Sequence, residues 1–200
     1  MSAGLGDRLL AGLVATTPAE AVAVVLAVAY LLLALRQDPR CWLAGGASSA
    51  LFLWVFAATH VYLQAALQVV YIALAVYGWW EWRHGREGRE LPVTRWPARH
   101  HAWAVLAVLA ATLPAGLALG RFTNSISPWL DASTATASLF ATWLTARKVL
   151  ESWWWWIVID CLTAVLFWQQ QLPLTALLFC AYTALAARGY VAWRRSTEAR

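Results

Sequence analysis

Seven runs of mostly apolar residues, at roughly 19–35, 41–58, 61–82, 102–120, 130–146, 153–169 and 172–193, constrain this chain more than any other feature. Each approaches the ~20 residues that carry an α-helix across a hydrocarbon core of ~30 Å. Residues are 62% hydrophobic and only 12% charged, and the mean hydropathy is +0.57. A soluble globule is excluded, because a water-exposed surface needs about a quarter of the chain to be charged. The sequence predicts an all-α integral membrane protein with seven transmembrane helices, whose first partner is the lipid bilayer. A net charge of +5 does not imply nucleic acid. The arginines lie between the apolar runs and not along one face, where they report topology.

Only one break between runs is long. Residues 81–101, EWRHGREGRELPVTRWPARHH, mix charges with two glycines and two prolines, which predicts a solvated loop. Thirteen of the fifteen Lys and Arg residues fall on the side of this loop, including Arg36, Arg40, Arg147, Lys148 and Arg188; Arg8 and Arg121 fall on the other. Short basic loops resist translocation, so the asymmetry places the N-terminus outside and the C-terminus in the cytoplasm of a bacterial inner-membrane protein. The start, MSAGLGDRLLAGLVATTPAE, has one arginine and a weak apolar core, and reads as a retained lead-in over 1–18, not a cleaved signal. Cys41, Cys161 and Cys180 form no C-x-x-C and predict neither a disulfide nor a metal site.

An ungapped repeat runs through the chain at an offset of 111 residues. Arg36 falls on Arg147, Trp42 on Trp153, Phe56 on Phe167, Tyr71 on Tyr182, Gly78 on Gly189 and Trp82 on Trp193, with Glu20 on Asp131 as a conservative match. Coincidences of Ala and Leu carry no information in such a composition, but those of Trp, Tyr, Gly and Arg do. The organisation expected is a three-helix repeat at 19–82, a cytoplasmic basic loop at 83–101, a linking helix at 102–120, a second three-helix repeat at 130–193, and a tail at 194–200. Three spans reverse the chain's side and the fourth restores it. The repeats are therefore parallel, related by a pseudo-two-fold axis along the membrane normal, as in transporters of 3+1+3 build.

Among the charges, Asp160 stands apart. Eight residues at 1.5 Å rise place it roughly 12 Å into the hydrocarbon core. A carboxylate there is tolerated chiefly when it faces a bundle interior or a wet cavity. Trp153, Trp156 and Asp160 share a helical face by spacing, and together would stack a flat ring and offset a positive charge on it. Trp154 and Trp155 are read as aromatic-belt residues. Span three presents Gln64, Gln68 and Tyr71 at i, i+4, i+7. Gln68 is the residue placed to pair with a carboxamide, and interhelical hydrogen bonding is the competing role. Ser133, Thr134, Thr136, Ser138 and Thr142 of span five read as helix-packing residues. The repeat is unequal at the centre, with Gly45 in the place of Trp156 and Ser49 in that of Asp160.

Phosphate-cradling G-x-x-x-x-G-K-[ST], zinc-binding H-E-x-x-H and nucleophile G-x-S-x-G are all missing, which argues against an ATPase and against an intramembrane hydrolase. A retinal Schiff base needs a lysine inside the bundle, and the only lysine, Lys148, stands at the cytoplasmic edge. His100 and His101 fall in the long loop and are read as solvated, not metal-binding.

Through YLQAALQVVYIALAVYGWWEW (62–82) and LDASTATASLFATWLTARKVLESWWWWIVID (130–160), the sequence resembles the PnuC family of vitamin transporters. Shared features are L-Q followed by Y-G-W-x-x-W, an Asp opening span five, R-K-x-x-E-x-W-x-x-W, and a late G-Y-x-x-W. They cover about 20–193 in order. The resemblance implies facilitated diffusion of an unphosphorylated vitamin, held at the midplane between the repeats and trapped inside by a separate cytoplasmic kinase. It carries over Gln68, Trp153, Trp156, Tyr182 and position 160. The family often has Asn where this chain has Asp160, and again near Ser48 and Ala75. The expected substrate is nicotinamide riboside, an NAD precursor, bound by Gln68, Tyr71, Trp153, Trp156, Asp160 and Tyr182, with no cofactor and no enzymatic step. Thiamine, riboflavin or a non-transporting membrane scaffold are the alternatives, and a homo-oligomer is compatible with the sequence.

Overall fold

The structure, a computed structural model, describes residue 6 and residues 17–60, 62–85 and 91–198. The expected lead-in, apart from Gly6 and its last two residues, lies outside the described residues. So do 86–90 of the long loop and the last two residues of the tail. Seven long helices occupy the described residues: α1 Pro18–Leu35, α2 Arg40–Ala58, α3 Tyr62–His84, α4 Ala98–Phe122, α5 Pro128–Ala146, α6 Ser152–Gln169 and α7 Pro173–Glu198.

They range from 18 to 26 residues, or about 27 to 39 Å at 1.5 Å per residue. By length and composition α1, α2, α4 and α7 are long and apolar enough to cross a membrane. The other three, α3, α5 and α6, carry Gln64, Gln68 and Tyr71, the Ser and Thr residues of span five, and Trp153, Trp156 and Asp160. α1 opens on a capping box, in which the Thr17 hydroxyl accepts from the Glu20 backbone N–H and the Glu20 carboxylate accepts from Thr17. Asp131, in the first turn of α5, accepts from the Ser125 hydroxyl at 2.6 Å. Both acids thus sit at the positive end of a helix dipole.

Two boundaries differ appreciably from the sequence expectation. α4 starts at Ala98 and not 102, and α7 runs to Glu198 and not 193. Apolar patterning marks only the lipid-embedded part of a helix, while its hydrogen-bond ladder continues into water until something stops it. The long loop is also less solvated than expected. Leu91 is buried, and Thr94 exchanges backbone hydrogen bonds with Lys148 and Leu150 (2.9 and 2.8 Å). An apolar side chain and a local β-bridge outweigh the loop's charge.

The 111-residue offset reappears in the backbone. α1 and α5 end at Leu35 and Ala146, and α2 and α6 end at Ala58 and Gln169. Among the described non-glycine residues, positive φ occurs at Gln37 (57°), His60 (60°), Lys148 (48°) and Gln171 (61°), two pairs each 111 apart. α1 and α5 close with the same motif. Gln37 N–H donates to Ala34 and Asp38 N–H to Leu33, while Lys148 N–H donates to Thr145 and Val149 N–H to Leu144, all at 3.0 Å. This is a Schellman cap with a left-handed residue at C′.

The chain divides into two compact units. One comprises Thr16–Thr94, Thr142–Leu150 and Arg188–Arg200; the other includes Arg95–Ala141 and Glu151–Ala187. In the first, α2 packs on both α1 and α3. Trp42 is its centre: its ring meets Tyr30 (5.7 Å, edge-on) and Trp82 (5.6 Å, edge-on) and lies over Gly78, where a Cβ would collide with the indole. The Ser48 hydroxyl ties α2 to the Ala23 carbonyl of α1 at 2.8 Å. In this unit the tryptophans that end α3 and α7 make exchanged bonds. Trp82 Nε1 donates to Ala146 O and Thr145 O (3.0 and 3.3 Å), and Trp193 Nε1 donates to Ala34 O (3.0 Å). Donors Trp82 and Trp193, like acceptors Ala34 and Thr145, stand 111 residues apart, and the two rings are 5.9 Å from each other.

In the second unit the small residues of α5 pack. Thr112 and Thr136 share a hydrogen bond of 2.8 Å between α4 and α5, and Gly116 makes room for the Trp129 ring. Ser133, Thr134, Thr136 and Ser138 return their hydroxyls to backbone carbonyls of α5.

Candidate functional site

α6 is 18 residues long and buries Ser152, Trp153, Ile159, Asp160, Thr163 and Leu166. Asp160 is 5% exposed. Among the described residues, neither a cation nor a hydrogen-bond donor is paired with it, and Tyr182 of α7 lies within electrostatic reach of it. A carboxylate withdrawn from water with no positive partner is expensive to keep ionised, so the place calls for a cation, a proton or a donor from a ligand. Tyr182 is half-buried and meets Phe179 edge-on at 5.5 Å, and Phe179 in turn stacks on Phe167 of α6 at 5.5 Å.

The four-tryptophan run divides by side. Trp153 is 1% exposed, Trp154 is 52% exposed, and Trp155 and Trp156 are half-buried. Trp154 lies as a belt residue would. Trp155 does not: its ring meets Phe140 of α5 edge-on at 5.0 Å, and its Nε1 donates to His101 Nδ1 at 3.3 Å. Of the other candidates, Gln68 and Tyr71 stand half-buried on α3, with Gln64 exposed. The structure therefore gathers Trp153, Trp156, Asp160 and Tyr182 in one compact unit, and Gln68 and Tyr71 in the other.

The family model described as nicotinamide mononucleotide transporter matches residues 17–195. The chain belongs to the nicotinamide mononucleotide transporter family. It is 24% identical to the riboflavin/roseoflavin transporter RibM of Streptomyces davaonensis, over 87% of this chain and 83% of that one. It is also 24% identical to the nicotinamide riboside transporter PnuC of Escherichia coli, over 90% and 87% respectively. Its fold is similar to the crystal structure of the vitamin B3 transporter PnuC, with a TM-score of 0.73 and 22% identity across 97% of this chain and 88% of that one. As a member of a vitamin-transporter family, the chain is a multi-pass inner-membrane protein that handles a small molecule.

In this family member, sequence reasoning missed a cluster at the start of α4 and α6. His101 is not solvated: its side chain is 22% exposed, with Nε2 3.9 Å from Glu151 Oε2. Glu151 also accepts from the Trp96 backbone N–H at 3.0 Å, and Arg95 Nε lies 4.0 Å from it. The signal was available in the sequence, because W-P-A-R-H-H enters α4 with its histidines in the first turn of the helix, where a side chain can turn back onto a neighbouring helix end.

Proposed function

We propose that this chain admits nicotinamide riboside to the cell by facilitated diffusion, without a cofactor, and that a separate cytoplasmic kinase traps it. The supporting observation is Asp160, a buried acid with no cation or donor paired with it among the described residues. A pyridinium carries a fixed positive charge and satisfies such an acid without proton transfer. Within its own unit, Trp156 or Trp153 stacks the ring and Tyr182 bonds its ribosyl or amide group; Gln68 and Tyr71 are proposed as binding residues from their polar pattern on α3 alone. Thiamine, also cationic, meets the same condition at Asp160.

The second reading is riboflavin, favoured by the riboflavin/roseoflavin transporter, which is as similar in sequence as the nicotinamide riboside one. Riboflavin is neutral and leaves Asp160 to be protonated. Calorimetric titration of purified protein with nicotinamide riboside, thiamine and riboflavin separates these readings; riboflavin binding alone overturns ours. Uptake of labelled vitamin by proteoliposomes separates transport from a scaffold role.

The matched helix ends, matched left-handed turns and exchanged Trp82 and Trp193 bonds support two parallel three-helix repeats at 19–82 and 130–193 around a linking helix. Combined with the charge asymmetry, the proposed reading has the N-terminus outside and the C-terminus in the cytoplasm. A reporter active only in the cytoplasm will work after Arg200 and in the loop near Gly88, and will fail at the N-terminus. Activity at both termini would require an even number of spans.

A further inference from the structure

The first turn of α4 is fastened to the first turn of α6 through His101. Trp155 Nε1 donates to His101 Nδ1 at 3.3 Å, and the buried Nε2 lies 3.9 Å from Glu151 Oε2. The surroundings come from four elements. Glu151 and Trp155 belong to the start of α6; Arg95 and Trp96 belong to the preceding loop, with the Trp96 ring 5.7 Å from that of His101. His100 and Arg99 stand beside it on α4, and Phe140 of α5 closes the cluster against both Trp155 and Trp96 (5.0 and 6.3 Å).

An indole N–H only donates, so His101 Nδ1 must offer its lone pair. That fixes a neutral imidazole with its proton on Nε2, facing Glu151. Protonation places an N–H on both nitrogens. The contact with Trp155 becomes donor against donor, while the attraction to Glu151 grows. His101 thus holds Trp155 in one protonation state and Glu151 in the other, and imidazole changes state between about pH 5 and 8. Trp155 is adjacent in sequence to Trp156, and about 100° of helix rotation separates their directions. Holding the Trp155 indole holds the rotation of the α6 backbone, from which Trp156 and Asp160 project.

We propose that His101 is a positioning residue for the substrate face of α6, acting through Trp155 and only as the neutral imidazole, so that acid on the side of the long loop weakens substrate binding. This rests on the reading of Trp156 and Asp160 as the substrate face.

Two readouts test it on the full chain in nanodiscs. In spectra of protein labelled with 15N-tryptophan, the Trp155 indole signal, assigned by its loss in Trp155→Phe, shifts between pH 7.5 and 5.5 in the wild type. It stays fixed in His101→Gln, whose Oε1 accepts without titrating. Over the same range the wild type loses about three- to ten-fold in affinity for nicotinamide riboside, the scale of one hydrogen bond. His101→Gln loses less, and Trp155→Phe binds at pH 7.5 as weakly as the wild type does at pH 5.5. An indole signal that does not move in the wild type, or a His101→Gln protein with the wild-type pH profile, overturns the proposal. If nicotinamide riboside binds at no pH, it is the substrate reading that fails, and riboflavin becomes the ligand in the same titration.

Discussion

Positions 45 and 49 of α2 are glycine and serine, while the positions 111 residues on, in α6, are Trp156 and Asp160. In the first helix triplet the room at Gly45 is taken by Tyr30 of α1, whose ring would lie 2.9 Å from a Cβ there. The residue 111 beyond Tyr30 is Ala141, wholly buried. Bulk has therefore moved between helices: large on the first and small on the second in one triplet, small on the first and large on the second in the other. Trp42 and Trp153, by contrast, are alike, 2% and 1% exposed. One tryptophan of α6 is thus shared architecture and another belongs to its triplet alone. Backbone turns and a buried tryptophan repeat, while the residues at 45 and 49 and at 156 and 160 do not.

The strongest way to break this comparison is to remove the shared pair. Trp42→Ala and Trp153→Ala each leave a cavity where a buried indole stood, and each is expected to destabilise by about 3–5 kcal/mol, seen as a lowered midpoint of thermal unfolding in detergent. If Trp153→Ala unfolds like the wild type yet loses ligand, Trp153 is a binding residue and the likeness to Trp42 is superficial.

Next in size is the residue with no counterpart. Two unit charges ~5 Å apart at an effective dielectric of ~20 attract by roughly 3 kcal/mol before desolvation is subtracted. Asp160→Asn keeps the shape and removes the charge. It will weaken nicotinamide riboside by up to that amount and leave neutral riboflavin nearly unaffected, measured by calorimetry. Parallel losses for both would return Asp160 to helix packing. Trp156→Ala is expected to cost about 1–3 kcal/mol of binding, the scale for stacking a base on an aromatic ring, with an unfolding midpoint that falls less than that of Trp153→Ala. A larger fall would make Trp156 another Trp42.

Helix number, most ends and the internal repeat were legible in the sequence because each has a local cause. Apolar runs stop where charge begins, and a repeat preserves rare residues such as Trp82 and Trp193 in register. Which way Trp153 to Trp156 point was not legible. In a lipid-embedded helix the outward face is as apolar as the packed one, so hydrophobicity carries no directional signal, and successive residues differ by about 100°. Trp155 was misplaced for this reason. The pairing of His101 with Trp155 and Glu151 was hidden for another, since it joins residues 54 and 50 positions apart through turns that composition does not describe. Gln68 and Asp160 were visible as polar residues in apolar surroundings, which identifies candidates but not their neighbours.

The smallest effect tests the likeness of the turns. Gln37 and Lys148 hold the same left-handed position in equivalent caps, with φ of 57° and 48°. Glycine relieves the backbone there and adds freedom to the unfolded chain, and both terms should be equal at the two sites. They cancel when Gln37→Gly is compared with Lys148→Gly, which isolates the side chains. Gln37 donates from Nε2 to the Ser196 hydroxyl at 2.9 Å in a partly buried setting, a bond with a net contribution of about 1 kcal/mol. Lys148 is 6% exposed, with its Nζ 4.6 Å from the centre of the Trp82 ring, and a desolvated contact of this kind reaches about 2 kcal/mol. Lys148→Gly should therefore be the less stable variant by about 1 kcal/mol, read as the difference between two unfolding midpoints. Equal midpoints would mean that the ammonium over Trp82 adds no more than the amide bond at Ser196, and that the two caps are equivalent in side chain as well as in backbone.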